Sequence, residues 1–157
     1  MSSYESPIGQ LHLRCSTQGL TWCHVRRPPA PGPTTHPWID LAMRELDEYF
    51  AGTRTEFSVP VDFADGDVES LDARILSTLT ETVAPGRTTT YGALARLIGD
   101  VDAQRVGAAL AANPVLIVVP CHRVVGANGK LTGYAAGLRN KQRLLDLESG
   151  QPSLAIA

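Results

Sequence analysis

A reactive pair of side chains follows the most apolar run in the sequence. In VLIVVPCHRVVG, residues 115–126, five apolar residues and a proline lead directly into Cys121, His122 and Arg123. A low dielectric raises the pKa of a thiol above its ordinary value of about 8.5, so a cysteine placed here needs a base to become a nucleophile. His122 is the adjacent candidate base. Neighbouring side chains in a regular element point apart, so either a turn or a water molecule must connect the two.

A histidine that acts as a base is commonly oriented by a carboxylate. Leu138, Leu144 and Leu145 share the apolar stripe of a predicted C-terminal helix with Glu148. A buried carboxylate without a partner is costly, which makes His122 its expected partner. The alternative is structural, because a lone buried cysteine often serves as a small hydrophobe and a glutamate near a helix end is often solvated.

Strands and helices that would position these residues can be read along the chain. The segments GQLHLRCS and GLTWCHVRR, with Gly19 between them, indicate an antiparallel hairpin, and PWIDLAMRELDEYFAG has the spacing of a helix. The short strand and acidic loop in TEFSVPVDFADGD indicate a domain boundary near residue 66. Residues 115–119 are predicted to be extended and buried on both sides.

Four helices are predicted in the second half of the chain, and two of them, joined by a tight turn, are typical of a helix-turn-helix. They lie in VESLDARILSTLTETV, in TTTYGALARLIG, from the cap Asp102 to about Ala112, and from about Arg139 to Glu148.

Composition excludes several classes of protein. The 157 residues are 43% hydrophobic and 19% charged, which is unlike a disordered chain, and no apolar run approaches the roughly 18 residues of a membrane span. The start MSSYESPIGQ lacks signal-peptide features, and three cysteines make a disulfide framework improbable, so a cytoplasmic location is expected.

Charge is distributed unevenly between the two halves. Residues 1–85 hold 6 Lys and Arg against 12 Asp and Glu, whereas residues 86–157 hold 8 against 4. This asymmetry indicates either that the second half contacts a polyanion or that the protein has an acidic and a basic solvated face.

The motifs around Cys121 resemble those of the O6-alkylguanine-DNA alkyltransferases, also called methylated-DNA–protein-cysteine methyltransferases. The segment NPVLIVVPCHRVVGANGKLTGYAAGL is similar to the family's active-site signature, and NKQRLLDLE is similar to its final helix. Weaker similarity in ESPIGQLHL, YFAG and GRTTTYGALARLIG extends the resemblance over most of the chain. It is sharpest over residues 113–148.

The resemblance implies an α/β (α+β) fold in two domains. Residues 1–65 would form a small N-terminal antiparallel β-sheet domain with a helix, of RNase H-like type. Residues 66–157 would form a helical C-terminal domain with a winged helix-turn-helix that carries the alkyl-transfer site.

The implied activity is direct DNA repair. An alkyl group such as methyl would pass from O6-alkylguanine in double-stranded DNA to Cys121 in a single turnover, after the base is flipped out of the duplex. The resemblance implies a monomer that needs no cofactor and no membrane. Two other functions stay open: a specialised member that acts on bulky adducts or on a small alkylating molecule, and a non-catalytic module that binds alkylated DNA.

The resemblance also implies roles for individual residues. Cys121 would accept the alkyl group, His122 would deprotonate it through a water, and Glu148 would hold the imidazole. Tyr91 would be the tyrosine whose hydroxyl serves the purine ring, and Asn113 would be the hinge asparagine. Tyr134 would lie beside the O6 position, and Ala135 would offer its backbone N–H to O6. Arg123 would be structural.

Two features depart from the family pattern. The family usually carries an arginine that replaces the flipped base, two residues before a Val-Gly pair. Here AQRVG places Gln104 at that distance, whereas Arg105 has the family spacing when counted from Gly99. A one-residue shift turns a helical side chain by about 100°, so both alternatives remain open.

The second departure concerns zinc, which some relatives carry in the first domain. Cys15 resembles one ligand, whereas Cys23, His24 and His12 do not align with the others. Ordinary half-buried strand residues are the favoured interpretation, with a structural zinc as the alternative.

Overall fold

Two units share the chain in the computed structural model, which describes residues 2–64 and 68–150. Within the described residues, the first unit comprises residues 2–64 together with 114–118, and the second comprises residues 68–113 and 119–150. The short segment 114–118 therefore groups with the first unit, although it lies in the sequence inside the predicted range 66–157. The acidic residues 65–67 of the predicted boundary loop lie outside the described residues.

The first unit is a three-stranded antiparallel sheet with one helix against it. Strands β1 (Ser2–Ser6), β2 (Gly9–Cys15) and β3 (Leu20–His24) pair in chain order, which confirms the predicted hairpin and adds β1 at its edge. Helix α1 (Pro37–Phe50) confirms the predicted helix. It begins where the His36 side chain accepts a hydrogen bond from the backbone N–H of Trp38. Its apolar stripe packs on the sheet, and the fully buried residues there are Leu11, Leu13, Leu20, Ile39 and Leu46.

The histidines and cysteines of the hairpin do not converge. His12 lies opposite His24 in the strand register, while Leu13 lies opposite Cys23, so the two histidines share one face and Cys23 is on the other. Within residues 2–64 and 68–150, no group of three or more His, Cys, Asp or Glu side chains is placed to hold a metal ion. The four residues considered for zinc are strand residues here.

The second unit is helical and confirms the predicted order of a sheet domain followed by a helical domain. Its helices are α2 (Ser70–Thr82), α3 (Tyr91–Ile98), α4 (Ala103–Ala111) and α5 (Leu138–Ser149). The predicted threonine and aspartate caps are present, because Thr90 accepts from the N–H of Ala93 and Asp102 from the N–H of Arg105. Helices α3 and α4 pack on each other and on α2.

A two-stranded parallel sheet connects the start of α3 to the region of Cys121. Strand β4 (Thr89–Thr90) pairs with β5 (Val124–Val125). Because Tyr91 follows β4 directly and Val124 follows Arg123, this pairing brings the N-terminus of α3 beside the cysteine turn. No helix among the described residues has the length and apolarity to cross a bilayer.

The apolar run before Cys121 is buried, as predicted, but it is not an extended strand. Val115 forms a single bridge with Cys23, supported by backbone hydrogen bonds at 2.8 and 2.7 Å. The chain then turns at Ile117, whose φ of 73° accompanies a hydrogen bond from the N–H of Val118 to the carbonyl of Leu116. The prediction of a continuous extended segment is therefore wrong, because a γ-turn interrupts it.

A buried carboxylate anchors the loop that follows α1. Glu45 is fully buried and accepts hydrogen bonds from the backbone N–H groups of Ser58 and Val59 and from the Ser58 hydroxyl, while Arg54 lies 3.1 Å away. Burial alone would raise the pKa of Glu45, but these hydrogen bonds and the Arg54 charge lower it overall.

We expect Glu45→Gln to lower the free energy of unfolding by about 2 kcal/mol, because it removes charge-assisted hydrogen bonds inside the first unit. The matched control is Glu48→Gln, which removes a half-exposed partner of Arg54 and should cost less than about 1 kcal/mol. Urea unfolding at neutral pH measures both values. Equal losses in the two variants would contradict the assigned role of Glu45.

Candidate active site

Two consecutive tight turns set the position of Cys121. The N–H of Cys121 donates to the carbonyl of Val119 across Pro120, and residues Cys121–Arg123 then form one turn of 3-10 helix. The backbone therefore turns at the Cys-His pair. All three side chains of this turn are buried: Cys121 is 7% exposed, His122 0% and Arg123 5%.

His122 and Glu148 are in direct contact. The Nε2 atom of His122 lies 2.6 Å from Oε2 of Glu148, whose side chain is 1% exposed. An ionised carboxylate only accepts hydrogen bonds, so Nε2 carries the proton and Nδ1 keeps its lone pair. Nδ1 is buried and has no hydrogen-bond partner among the described residues. This nitrogen can therefore act as a base.

Arg123 completes the cluster around the carboxylate. Its Nε donates to Oε1 of Glu148 at 2.7 Å, its Nη2 to Oε2 at 3.1 Å, and its Nη1 to the carbonyl of Val83 at 2.8 Å. Although burial raises the pKa of Glu148, the His122 and Arg123 interactions outweigh it and lower the pKa to about 2. The carboxylate is thus ionised at neutral pH. A guanidinium committed in this way is not presented to a DNA phosphate.

Burial also shapes the protonation of the other two groups. It lowers the pKa of His122, against the opposing effect of the Glu148 hydrogen bond, so the imidazole is neutral and able to take up a proton. It raises the pKa of the Cys121 thiol to about 11, while the Asn113 amide and the Lys141 charge act in the opposite direction. The thiol is therefore protonated at neutral pH and depends on a base.

Asn113 lies between helix α4 and the cysteine turn. It is 1% exposed, and its Nδ2 donates to the carbonyl of Val119 at 3.1 Å. The hydrogen bond links the end of α4 to the residue two positions before Cys121. Asn113, the predicted hinge asparagine, thus lies beside the turn that carries Cys121, where its amide lowers the pKa of the thiol against the larger effect of burial.

Lys141 is part of this site, although the sequence analysis did not identify it. Its side chain is almost fully buried, and Nζ donates to the carbonyls of Val124 and Thr132 at 2.7 Å each, with that of Gly133 at 3.4 Å. The ammonium group therefore joins β5 to the loop that carries Tyr134. A signal was present in the sequence, because Lys141 is three residues from both Leu138 and Leu144 on the apolar stripe of α5.

The two candidate tyrosines have different partners. The Tyr91 hydroxyl is 2.8 Å from the Thr132 hydroxyl, and Thr132 was not identified from the sequence. The Tyr134 ring stands edge-on to the His122 ring, with centroids 6.4 Å apart. Ala135, the candidate donor of a backbone N–H, is exposed next to Tyr134.

The structure separates the two candidates on α4. Gln104 is exposed, whereas Arg105 forms ion pairs with Asp72 and Glu69 at the start of α2. The two side chains therefore face different surroundings.

Both units of the chain match families of known proteins. Residues 1–63 match the family model described as 6-O-methylguanine DNA methyltransferase, ribonuclease-like domain, and residues 71–150 match the corresponding DNA binding domain. These matches define the chain as a two-domain protein of a DNA-binding class.

Individual relatives agree with the family models over nearly the whole chain. The methylated-DNA–protein-cysteine methyltransferase of Methanosarcina acetivorans is 40% identical over 152 residues, which cover 92% of this chain and 95% of that protein. The enzyme of the same name from Mycolicibacterium paratuberculosis is 42% identical over 150 residues, covering 92% and 88%. A crystal structure of Mycobacterium tuberculosis OGT in complex with DNA matches with a TM-score of 0.86 at 36% identity, covering 99% of this chain and 97% of that one. The chain belongs to the 6-O-methylguanine DNA methyltransferase family.

We expect Glu148→Gln to lower the free energy of unfolding by about 3 kcal/mol, because Arg123 then stays buried without a counter-charge. The control is Asp146→Asn on the same helix, where the side chain has Gln142 as its one hydrogen-bond partner among the described residues, and it should cost less than about 1 kcal/mol. Urea unfolding of the three proteins at neutral pH makes the comparison.

The pH dependence has a definite sign. Because the folded pKa of Glu148 lies below its ordinary value of 4.5, its contribution is complete above pH 4.5 and is lost as the pH falls towards 2. The wild type should therefore lose more stability than Glu148→Gln between these values. Parallel curves would contradict the buried ion cluster.

Proposed function

We propose that this protein repairs DNA directly, by transferring an alkyl group from O6-alkylguanine in double-stranded DNA to Sγ of Cys121 in a single turnover. The observation that carries this proposal is the His122 imidazole, one residue after the cysteine: a buried carboxylate binds its Nε2, and its Nδ1 has no hydrogen-bond partner among the described residues. The activity agrees with the names of the curated relatives and with the DNA-bound structure of the Mycobacterium tuberculosis protein.

The transfer is a displacement at the alkyl carbon. His122 Nδ1 takes the thiol proton through a water molecule, and the sulfur attacks the carbon attached to O6 of guanine. The S–C bond forms as the C–O6 bond breaks, and the electron pair of that bond moves to O6 and the purine ring. Glu148 stabilises the imidazolium that results.

Two further groups favour this step. Tyr91, held through its hydroxyl beside Thr132, donates a proton to the purine ring as negative charge develops there, which makes guanine a better leaving group. The buried Lys141 ammonium favours the anionic sulfur electrostatically. The imidazolium then returns its proton through water to the Tyr91 phenolate, so that, overall, the sulfur has exchanged its proton for the alkyl group and guanine has gained a proton. The products are an S-alkylcysteine and an unmodified guanine, and since a thioether is not hydrolysed at neutral pH, each molecule reacts once.

Remaining parts of the proposal concern how the substrate is presented. Tyr134 and the backbone N–H of Ala135 border the alkylated O6 of a base flipped out of the duplex. Asn113 holds the nucleophile turn to α4. Residues 1–65 form the supporting domain and residues 66–157 the reactive one, in a monomer that works in the cytoplasm.

Incubation with duplex DNA that contains O6-methylguanine should add one methyl group, a net CH₂, to the peptide that carries Cys121. Cys121→Ala should gain nothing, since it lacks the accepting sulfur. Intact-protein and peptide mass spectrometry measure this directly. A wild-type protein that binds the lesion tightly but stays unmodified would overturn the proposal in favour of a non-catalytic binding module.

Replacement of His122 should slow the transfer while leaving the nucleophile in place. We expect His122→Ala to reduce the single-turnover rate by about 100-fold or more, because general-base assistance is lost. The rate of His122→Ala should rise with pH towards the thiol pKa of about 11, since hydroxide then replaces the missing base. Unchanged rates at neutral pH would show that the thiol ionises without His122.

A further inference from the structure

Helix α4 presents one exposed face that carries a single long side chain. Gln104, Ala108 and Ala111 are spaced by four and three residues, so they lie on the same face, and all three are exposed. The neighbouring exposed residues Ala103 and Ala112 are also small. Gln104 is therefore the one group on this face that extends beyond the helix surface.

Arg105 is directed elsewhere. Its Nη1 lies 2.7 Å from Oδ1 of Asp72 and its Nη2 3.5 Å from Oε2 of Glu69. The Asp72 side chain is 13% exposed, so withdrawing the guanidinium would leave a largely buried carboxylate without its counter-charge. Arg105 thus holds the start of α4 to the start of α2.

The exposed face of α4 continues to the candidate active site. Gly107 is three residues after Gln104 and lies on the same side of the helix. A Cβ atom at Gly107 would be 3.9 Å from the Tyr91 ring, so this part of α4 is in close approach to that ring. The Tyr91 hydroxyl in turn reaches Thr132. A duplex lying along this face would meet Gln104 about one helical turn before Gly107, the residue that approaches the Tyr91 ring.

We infer that Gln104 is the side chain that enters the duplex beside the flipped base, an inference that rests on the proposed function. Arg105 is then a positioning residue that fixes α4 to α2. A flipped guanine leaves its cytosine partner with a free donor and free acceptors. The Gln104 amide offers both a donor and an acceptor, whereas a guanidinium offers donors only. The inserted group is therefore neutral in this protein.

The test compares adjacent variants on two substrates. Gln104→Ala should slow transfer from duplex O6-methylguanine at least 10-fold, while its reaction with the free base O6-benzylguanine and its urea midpoint stay at wild-type values. The salt dependence of duplex binding should be the same in Gln104→Ala and the wild type, because no phosphate-neutralising charge is lost.

The positioning role of Arg105 is tested by replacing each partner of the ion pair that it forms with Asp72. Arg105→Gln and Asp72→Asn should lower the urea midpoint by similar amounts, the double variant should be no worse than either, and Arg105→Gln should slow duplex transfer no more than Asp72→Asn does. A duplex rate that falls at least 10-fold in Arg105→Gln but not in Asp72→Asn would overturn the inference, as would a normal duplex rate in Gln104→Ala. A wild type that reacts with neither substrate would instead overturn the proposed function.

Discussion

The ionised carboxylate of Glu148 is the group on which the arrangement of the second unit depends. It receives the imidazole of His122 and two nitrogens of Arg123, and Arg123 extends the cluster to the carbonyl of Val83 at the end of α2. Charges removed from water must be paired with good geometry or they destabilise the fold. The same requirement that makes this cluster rigid also fixes which nitrogen of His122 is free to act as a base.

Burial gives the candidate nucleophile a conditional reactivity. The Cys121 thiol has its pKa raised to about 11, so it is protonated at rest and is a poor target for electrophiles that reach the protein by chance. In the proposed reaction, the thiol proton leaves through His122. Lys141, held by backbone carbonyls with no carboxylate within ion-pair distance among the described residues, is a buried cation in the neighbourhood of the anionic sulfur.

Much of the site could be predicted because its signals are local. The Cys-His pair at the end of an apolar run and the position of Glu148 on the stripe of α5 indicated the contact that the structure contains, and the caps of α3 and α4 were explicit in Thr90 and Asp102. The γ-turn at Ile117 was not predictable, because a run of β-branched residues favours extended backbone and tertiary contacts override that preference.

Other features depend on details that spacing does not carry. Lys141 was missed because a single lysine on a helix is ordinarily solvated, so its place on the apolar stripe of α5 is a weak signal, whereas its three carbonyl partners in the structure are a clear one. The positions of Gln104 and Arg105 differ by a rotation of about 100° on the helix, which a sequence with two possible alignments cannot assign. In the structure, the ion pair with Asp72 directs the Arg105 side chain towards α2.

The bridge between Cys23 and Val115 has a consequence for the order in which the protein is completed. Residues 114–118 belong to the unit built mainly from residues 2–64, yet they are synthesised after α4. During translation, the backbone N–H and C=O of Cys23 can form their hydrogen bonds with Pro114 and Leu116 only after about ninety further residues have been synthesised. The first unit therefore receives its last backbone hydrogen bonds from residues that are synthesised only a few positions before Cys121.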